Sequence, residues 1–103
     1  MAASAREFFE GLERRIDESR TAGVTASYRF DVEGAGSWHI AIADGRATVT
    51  ESGGAADCVI AMNEETFLKL LRGETKPTTA FMVGRIKVDG DMSLALKLKE
   101  LFF

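Results

Sequence analysis

A chain of 103 residues with a net charge of −3 suits one domain and carries no basic cluster of the kind that nucleic acid requires. One cysteine rules out an intramolecular disulfide, and with one histidine beside it the chain is short of the Cys and His ligands of a zinc site. Hydrophobic residues make up 46%, enough for one core, yet no window approaches the roughly 18 consecutive apolar residues of a membrane span.

These bounds predict a single domain over residues 1–103, placed in the cytoplasm. The first residues, MAASAREFFEGLERR, lack the long apolar run of a signal peptide, and the lone Cys58 fits a reducing compartment. The chain ends Leu101-Phe102-Phe103, with no Ser-Lys-Leu type peroxisomal address. The acidic balance also disfavours strong attachment to anionic membranes.

In chain order, Ser4 and Glu7 have capping-box spacing, and Phe8, Phe9, Leu12 and Ile16 recur on one helical face against Arg6, Glu10, Glu13 and Asp17. Thr21-Ala22-Gly23 ends that helix. Residues 24–33 then alternate strictly, Val24, Ala26, Tyr28, Phe30 and Val32 on one side and polar residues on the other, which predicts a strand. A second strand over 38–43 carries Trp38, Ile40 and Ile42 inward. Asp44-Gly45 is a hairpin signal, because a type I′ turn needs positive φ at both central residues. Strands over 46–51 and 57–62 follow, the latter with Cys58, Ile60 and Met62 on one side; these four strands are expected to be antiparallel.

The period then changes. Asn63 caps a helix over 64–72 carrying Phe67, Leu68, Leu70 and Leu71, and Gly73 stops it. Residues 75–83 form a connection, with a short helix after Pro77. Ile86 and Val88 point inward from a fifth strand over 85–89, and Gly90-Asp91 opens a last helix over 92–101. The fold class is therefore α+β: a five-stranded, mainly antiparallel sheet with one face covered by helices.

The last helix carries two apolar stripes, Leu94, Leu98, Leu101 and Phe102 on one side and Met92, Leu96 and Phe103 on another. A helix that only lids a sheet needs one stripe. The second calls for another apolar neighbour: a helix, a second subunit, or a bound lipid.

Residues 73–98 read GETKPTTAFMVGRIKVDGDMSLALKL. This run resembles the sterol carrier protein 2 (SCP2) sterol-transfer family at Gly73, Pro77, Ala80, Phe81, Gly84, Ile86, Lys87, Gly90, Asp91, Leu94, Lys97 and Leu98. Upstream, Trp38 before the Asp44-Gly45 turn, Ala56-Asp57 and the helix holding Phe67 keep the same order. The resemblance implies an apolar tunnel between sheet and helices that takes sterols, fatty acids, acyl-CoA or other lipids without catalysis. With the apolar surplus of the last third, it implies ligand contacts at Trp38, Phe67, Leu71, Phe81, Met82, Ile86, Met92, Leu96 and Leu101. Ligand access falls to the connection after Pro77 and the last helix. The partner is thus a lipid or other apolar small molecule, and no cofactor is implied. The motif residues also have structural reasons: Gly84 and Gly90 for backbone shape, Asp91 as a cap, Pro77 for rigidity.

Catalysis finds little footing. His39 lies on the polar side of its strand and Cys58 on the apolar side, where cysteine behaves as a small hydrophobe. The carboxylates Asp31, Glu33, Asp44, Asp57, Glu64 and Glu65 fall in turns, caps or polar strand faces. Gly34-Ala35-Gly36 joins two antiparallel strands instead of opening a helix, so it is no dinucleotide fingerprint. No catalytic residue and no metal ligand is assigned.

Seven Phe, four Met and one Trp make the apolar inventory large for this length, and methionine adapts to varied shapes. A dry apolar void of about 300 Å³ would cost on the order of 7 kcal/mol. That matches the whole stability of many domains, roughly 5–15 kcal/mol. Such a space is filled by lipid, entered by water, or closed by its helices. The alternative expectation is an interaction module whose last helix docks on a homodimer partner or a lipid-pathway enzyme. A small enzyme acting on a lipid-like substrate has the least support.

Overall fold

The computed structural model describes residues 4–16, 18–97 and 101. The Ser4 hydroxyl accepts the Glu7 backbone N–H at 3.2 Å and starts α1, Ala5–Arg15, whose Phe8, Phe9 and Leu12 are buried. A short α2, Glu18–Thr21, follows, and the buried Thr21 hydroxyl donates to the Gly45 carbonyl at 3.0 Å. The strands β1 (Ala26–Glu33) and β2 (Gly36–Ala43) bury alternate residues, as period two demands. Asp44 and Gly45 take φ of 54° and 77°, the expected hairpin pair, and lead into β3, Arg46–Thr50. Then come β4 (Cys58–Asn63), α3 (Glu64–Leu71), α4 (Pro77–Met82), β5 (Lys87–Gly90) and α5 (Met92–Ala95).

The sheet order is β3-β2-β1-β4-β5. All neighbours are antiparallel except β1 and β4, which run parallel from Tyr28 opposite Cys58 to Glu33 opposite Asn63. This corrects the expectation of four antiparallel strands. The glycine-rich stretch between β3 and β4 is not a hairpin but a lateral crossover over β2 and β1. Arg29 donates to the carbonyls of Gly53 and Gly54, and His39 Nε2 to that of Ala55, so the crossover lies on the face away from the buried side chains. Strand pairing of this kind depends on where a loop travels, which alternation along each strand does not encode.

The opposite face carries the core. Phe9 stacks on Trp38 with ring centroids 4.6 Å apart and on Phe67 at 5.3 Å, while Phe8 meets Phe67 edge-on at 5.4 Å. These contacts join α1, α3 and the sheet centre into one apolar layer. At the far edge of β3, Glu13 of α1 accepts the Val49 N–H at 3.3 Å, which covers part of that open strand edge.

At the other edge, Gly90 stands where the chain leaves β5 for α5. Its φ is 105°, and a Cβ there would sit 2.3 Å from the Asp57 carbonyl oxygen. That oxygen accepts the Asp91 N–H at 2.9 Å, so it has no room to move away. Gly90→Ala is therefore expected to lower stability by roughly 3 kcal/mol or more in urea unfolding. Gly84→Ala, at φ 79° but facing open space, is expected to cost only about 1–2 kcal/mol.

Candidate ligand groove at the α4–α5 edge

The last third is built from short pieces, each anchored by small local contacts. Pro77 opens α4 at a position where its missing N–H costs nothing. Ala80 buries its small side chain and so lets α4 lie close to the core. Asp91 caps α5, its carboxylate accepting the Ser93 N–H at 2.8 Å. These bonds to Ser93 hold the Asp91 carboxyl below the usual carboxylate range.

Two further bonds tie α5 to the sheet. The buried Tyr28 hydroxyl donates to the Leu94 carbonyl at 2.7 Å, an oxygen that also accepts the Lys97 N–H at 3.1 Å. Asp57 receives Asp91 N–H on its backbone oxygen, while its carboxylate accepts Ser27 N–H at 3.0 Å and its own N–H donates to the Ser27 hydroxyl at 2.9 Å. Asp57 thus joins β1, β4 and the start of α5 at one point.

Held this way, α5 turns Leu94 into the core and leaves Met92 and Leu96 facing outward. Leu101 is buried. The expected long helix over 92–101 is described as helix only over Met92–Ala95; Leu96 and Lys97 turn, and Leu101 is again helical. Leu98, Phe102 and Phe103, assigned to the two stripes, lie outside the described residues.

Between α4, β5 and α5 runs a groove of about 380 Å³. Pro77, Phe81 and Met82 form one wall, Met92, Ala95 and Leu96 the other, and Ile86 with Val88 the floor. Lys76, whose side chain makes no helix-cap bond, is the one charged residue among its lining and Thr78 the one neutral polar one. The groove is open to solvent along its length, since Leu96 is 73% and Met82 84% exposed. Its size falls in the range of small-molecule sites, about 300–1,000 Å³.

Five residues assigned to the ligand meet here: Phe81, Met82, Ile86, Met92 and Leu96. Trp38 and Phe67 do not; they sit in the aromatic core beneath α1. Leu71 packs half-buried against that core, and Leu101 is buried, neither lining the groove. Sequence reasoning missed Lys76, Pro77, Thr78, Val88 and Ala95 as lining. Val88 had a usable signal, because alternation places it on the same side as Ile86.

A larger cleft of about 680 Å³ lies where the ends of β1 and β4 meet the start of β2 and residues 84–87, with Asp31, Glu33, Arg85 and Lys87 beside Val32 and Met62 in its lining. Its mixed charges suit water better than an apolar guest. Among the described residues, no cluster of His, Cys, Asp or Glu is placed to hold a metal ion, and every buried side-chain nitrogen or oxygen has a partner. His39 and Cys58 occupy opposite faces of the sheet, so they form no nucleophile pair.

The fold and this edge define a small α+β domain with an open apolar groove at one side of its sheet. Residues 8–103 match the model of the SCP-2 sterol transfer family, and the chain belongs to that family. Hydroxysteroid dehydrogenase-like protein 2 of Xenopus laevis is 35% identical over 97% of this chain, yet the match covers 25% of that relative. The chain thus spans about a quarter of the length of the curated relatives it matches. Among solved structures, the sterol carrier protein domain 2 of Helicoverpa armigera is 32% identical with a TM-score of 0.69, over 92% of this chain and 79% of that one. Palmitated SCP2L2 from Aedes aegypti superposes with a TM-score of 0.75 at 19% identity, over 94% and 92% of the two chains.

Two buried acids next to α5 give this region a pH signature. Burial pushes the Cys58 thiol up from 9.0 to about 11, with Asp91 and Asp57 adding repulsion. Burial likewise raises the Tyr28 phenol above 10.0. The unfolded chain loses these protons first, so stability is expected to fall as pH rises past about 9. Tyr28→Phe is expected to cost about 1 kcal/mol at neutral pH and to flatten the loss above pH 10, measured by urea unfolding across pH. Native Cys58 is expected to resist alkylation that proceeds readily in denaturant.

Proposed function

We propose that the protein binds a chain-like apolar ligand along the α4–α5 groove and carries it without acting on it chemically. The observation that carries this reading is a wall of Phe81, Met82, Ile86, Met92 and Leu96 around about 380 Å³, with one charged residue at its rim. Leaving such surface in water is unfavourable, and covering it with hydrocarbon is favoured by roughly 25 cal/mol per Å² on each side. Family membership supports a lipid as the guest, and the palmitated Aedes protein suggests an acyl chain as the probe. Sixteen carbons wholly buried would gain roughly 12 kcal/mol gross at about 0.8 kcal/mol per methylene. An open groove recovers part of that, and ordering costs take more, which leaves micromolar binding within reach. Where the groove closes over a ligand, it becomes the tunnel that the resemblance implies.

A second reading has support from the relatives. Because the matched segment is about a quarter of those proteins, the domain there is a part of something larger. The same groove would then present a ligand to a neighbouring lipid-pathway enzyme or to a second copy. In either case the groove itself supplies no catalytic group. The buried, free Cys58 fits a reducing compartment such as the cytoplasm.

Palmitate at about a hundredfold above its dissociation constant is expected to add about 2.7 kcal/mol and raise the melting temperature by roughly 10 °C or more. Leu96→Lys is expected to remove most of that rise. Leu96 is largely exposed, so this variant should fold with an unchanged circular dichroism spectrum. A full palmitate-induced rise in Leu96→Lys would place the ligand elsewhere.

A further inference from the structure

Four methionines occur in the chain, and two of them line the groove. Met82 ends α4 and is 84% exposed; Met92 begins α5 and is 47% exposed. They belong to opposite walls, so a guest along the groove passes between them. Met62 is buried in β4, and Met1 lies outside the described residues. Gap-filling in a core, the usual work of methionine, does not account for a pair left this open to water.

A thioether gives up two electrons to a peroxide without first losing a proton, so exposure selects which sulfur reacts. With hydrogen peroxide, the S–O bond forms as the O–O bond breaks. The second oxygen leaves as hydroxide and takes up the proton of the transferred one, giving water and a sulfoxide. The thiol of the chain does not compete. Cys58 is fully buried, and burial keeps it protonated well above neutral pH. Accessible sulfur among the described residues is thus confined to the two walls of the groove.

We propose that Met82 and Met92 form a reversible oxidation site that sets the affinity of the groove: as thioethers they hold an alkyl chain, and as sulfoxides they release it. A sulfoxide oxygen is a polar acceptor, and an alkyl chain lying over it strips its water while offering no donor. The lining cannot replace that water. Its side-chain donors are Lys76 and Thr78, both at the start of α4, at the far end of that helix from Met82 and across the groove from Met92. The two sulfurs differ in role. Met82, the more exposed, reacts first, yet its oxygen can stay in water beside the guest. Met92 reacts more slowly and places its oxygen under the chain. This site rests on the carrier reading, because it acts through the affinity for the guest.

The test exposes the full chain to hydrogen peroxide and follows peptide masses, circular dichroism and palmitate titration together. One added oxygen is expected first at Met82 and then at Met92, with Met62 and Cys58 unchanged and the spectrum retained. Palmitate affinity is expected to fall about tenfold or more when both are sulfoxides, most of it with Met92. Methionine sulfoxide reductases with a dithiol are expected to restore it. The double variant Met82→Leu, Met92→Leu, compared with itself before and after peroxide, is expected to change less than about twofold. Undiminished palmitate binding by the doubly oxidised protein overturns the proposal, as does oxidation of Met62 or Cys58 ahead of the groove pair. So does an equal loss in the double variant, which would put the sensitive group elsewhere. Absence of palmitate binding before any peroxide removes the carrier reading and this site with it; binding that is present before and unchanged after removes the site alone.

Discussion

The buried hydroxyl of Tyr28 and the backbone oxygen of Asp57 tie α5 to the sheet from beneath. Those two contacts decide which way the helix faces. With Leu94 drawn into the core, Met92 and Leu96 must point away from it, and their apolar surface meets that of Phe81 and Met82 across a gap. The groove is thus a consequence of how a one-turn helix is held. If α5 were free to roll, it would bury Met92 and Leu96 against Ile86 and Val88 and close the space.

Small residues keep the neighbouring pieces in place. Ala80 brings α4 close to the core, and Gly90 lets β5 pass within contact of Asp57. A larger residue at either site would shift a wall of the groove. The groove lining, by contrast, includes two flexible methionines and the large side chains of Phe81 and Leu96. Rigid anchoring below and adaptable surface above suit a site that accepts guests of varied shape. The aromatic cluster of Phe8, Phe9, Trp38 and Phe67 plays the opposite part, since its rings are buried and packed on one another at centroid distances of 4.6–5.4 Å.

Much of this was legible in the chain itself. Alternation identified every strand to within a few residues, and Ser4, Asn63 and Asp91 cap the helices their spacing predicted. Of the two stripes expected on the last helix, Leu94 and Leu101 are buried and Met92 and Leu96 exposed, while Leu98, Phe102 and Phe103 lie outside the described residues. What sequence could not supply was depth. Trp38 and Phe67 are as apolar as Phe81 and Met82, and only the packing of α1 over the sheet shows that the first pair is enclosed. The parallel pairing of β1 with β4 was hidden for a similar reason. It follows from a seven-residue crossover, 51–57, whose anchors Arg29 and His39 look like ordinary surface residues in the sequence. Lys76 escaped notice because a lone lysine before a proline has no signature until its place on the groove rim is seen.

The proposed place for hydrocarbon is the α4–α5 edge, not the aromatic core. Isotope-filtered NMR on the protein with labelled palmitate reads that placement atom by atom. The ligand methylenes are expected to show cross-peaks to the side chains of Met82, Ile86, Val88, Met92 and Leu96. Cross-peaks to Trp38 and Phe67 instead, or none to any of the groove residues, would contradict it.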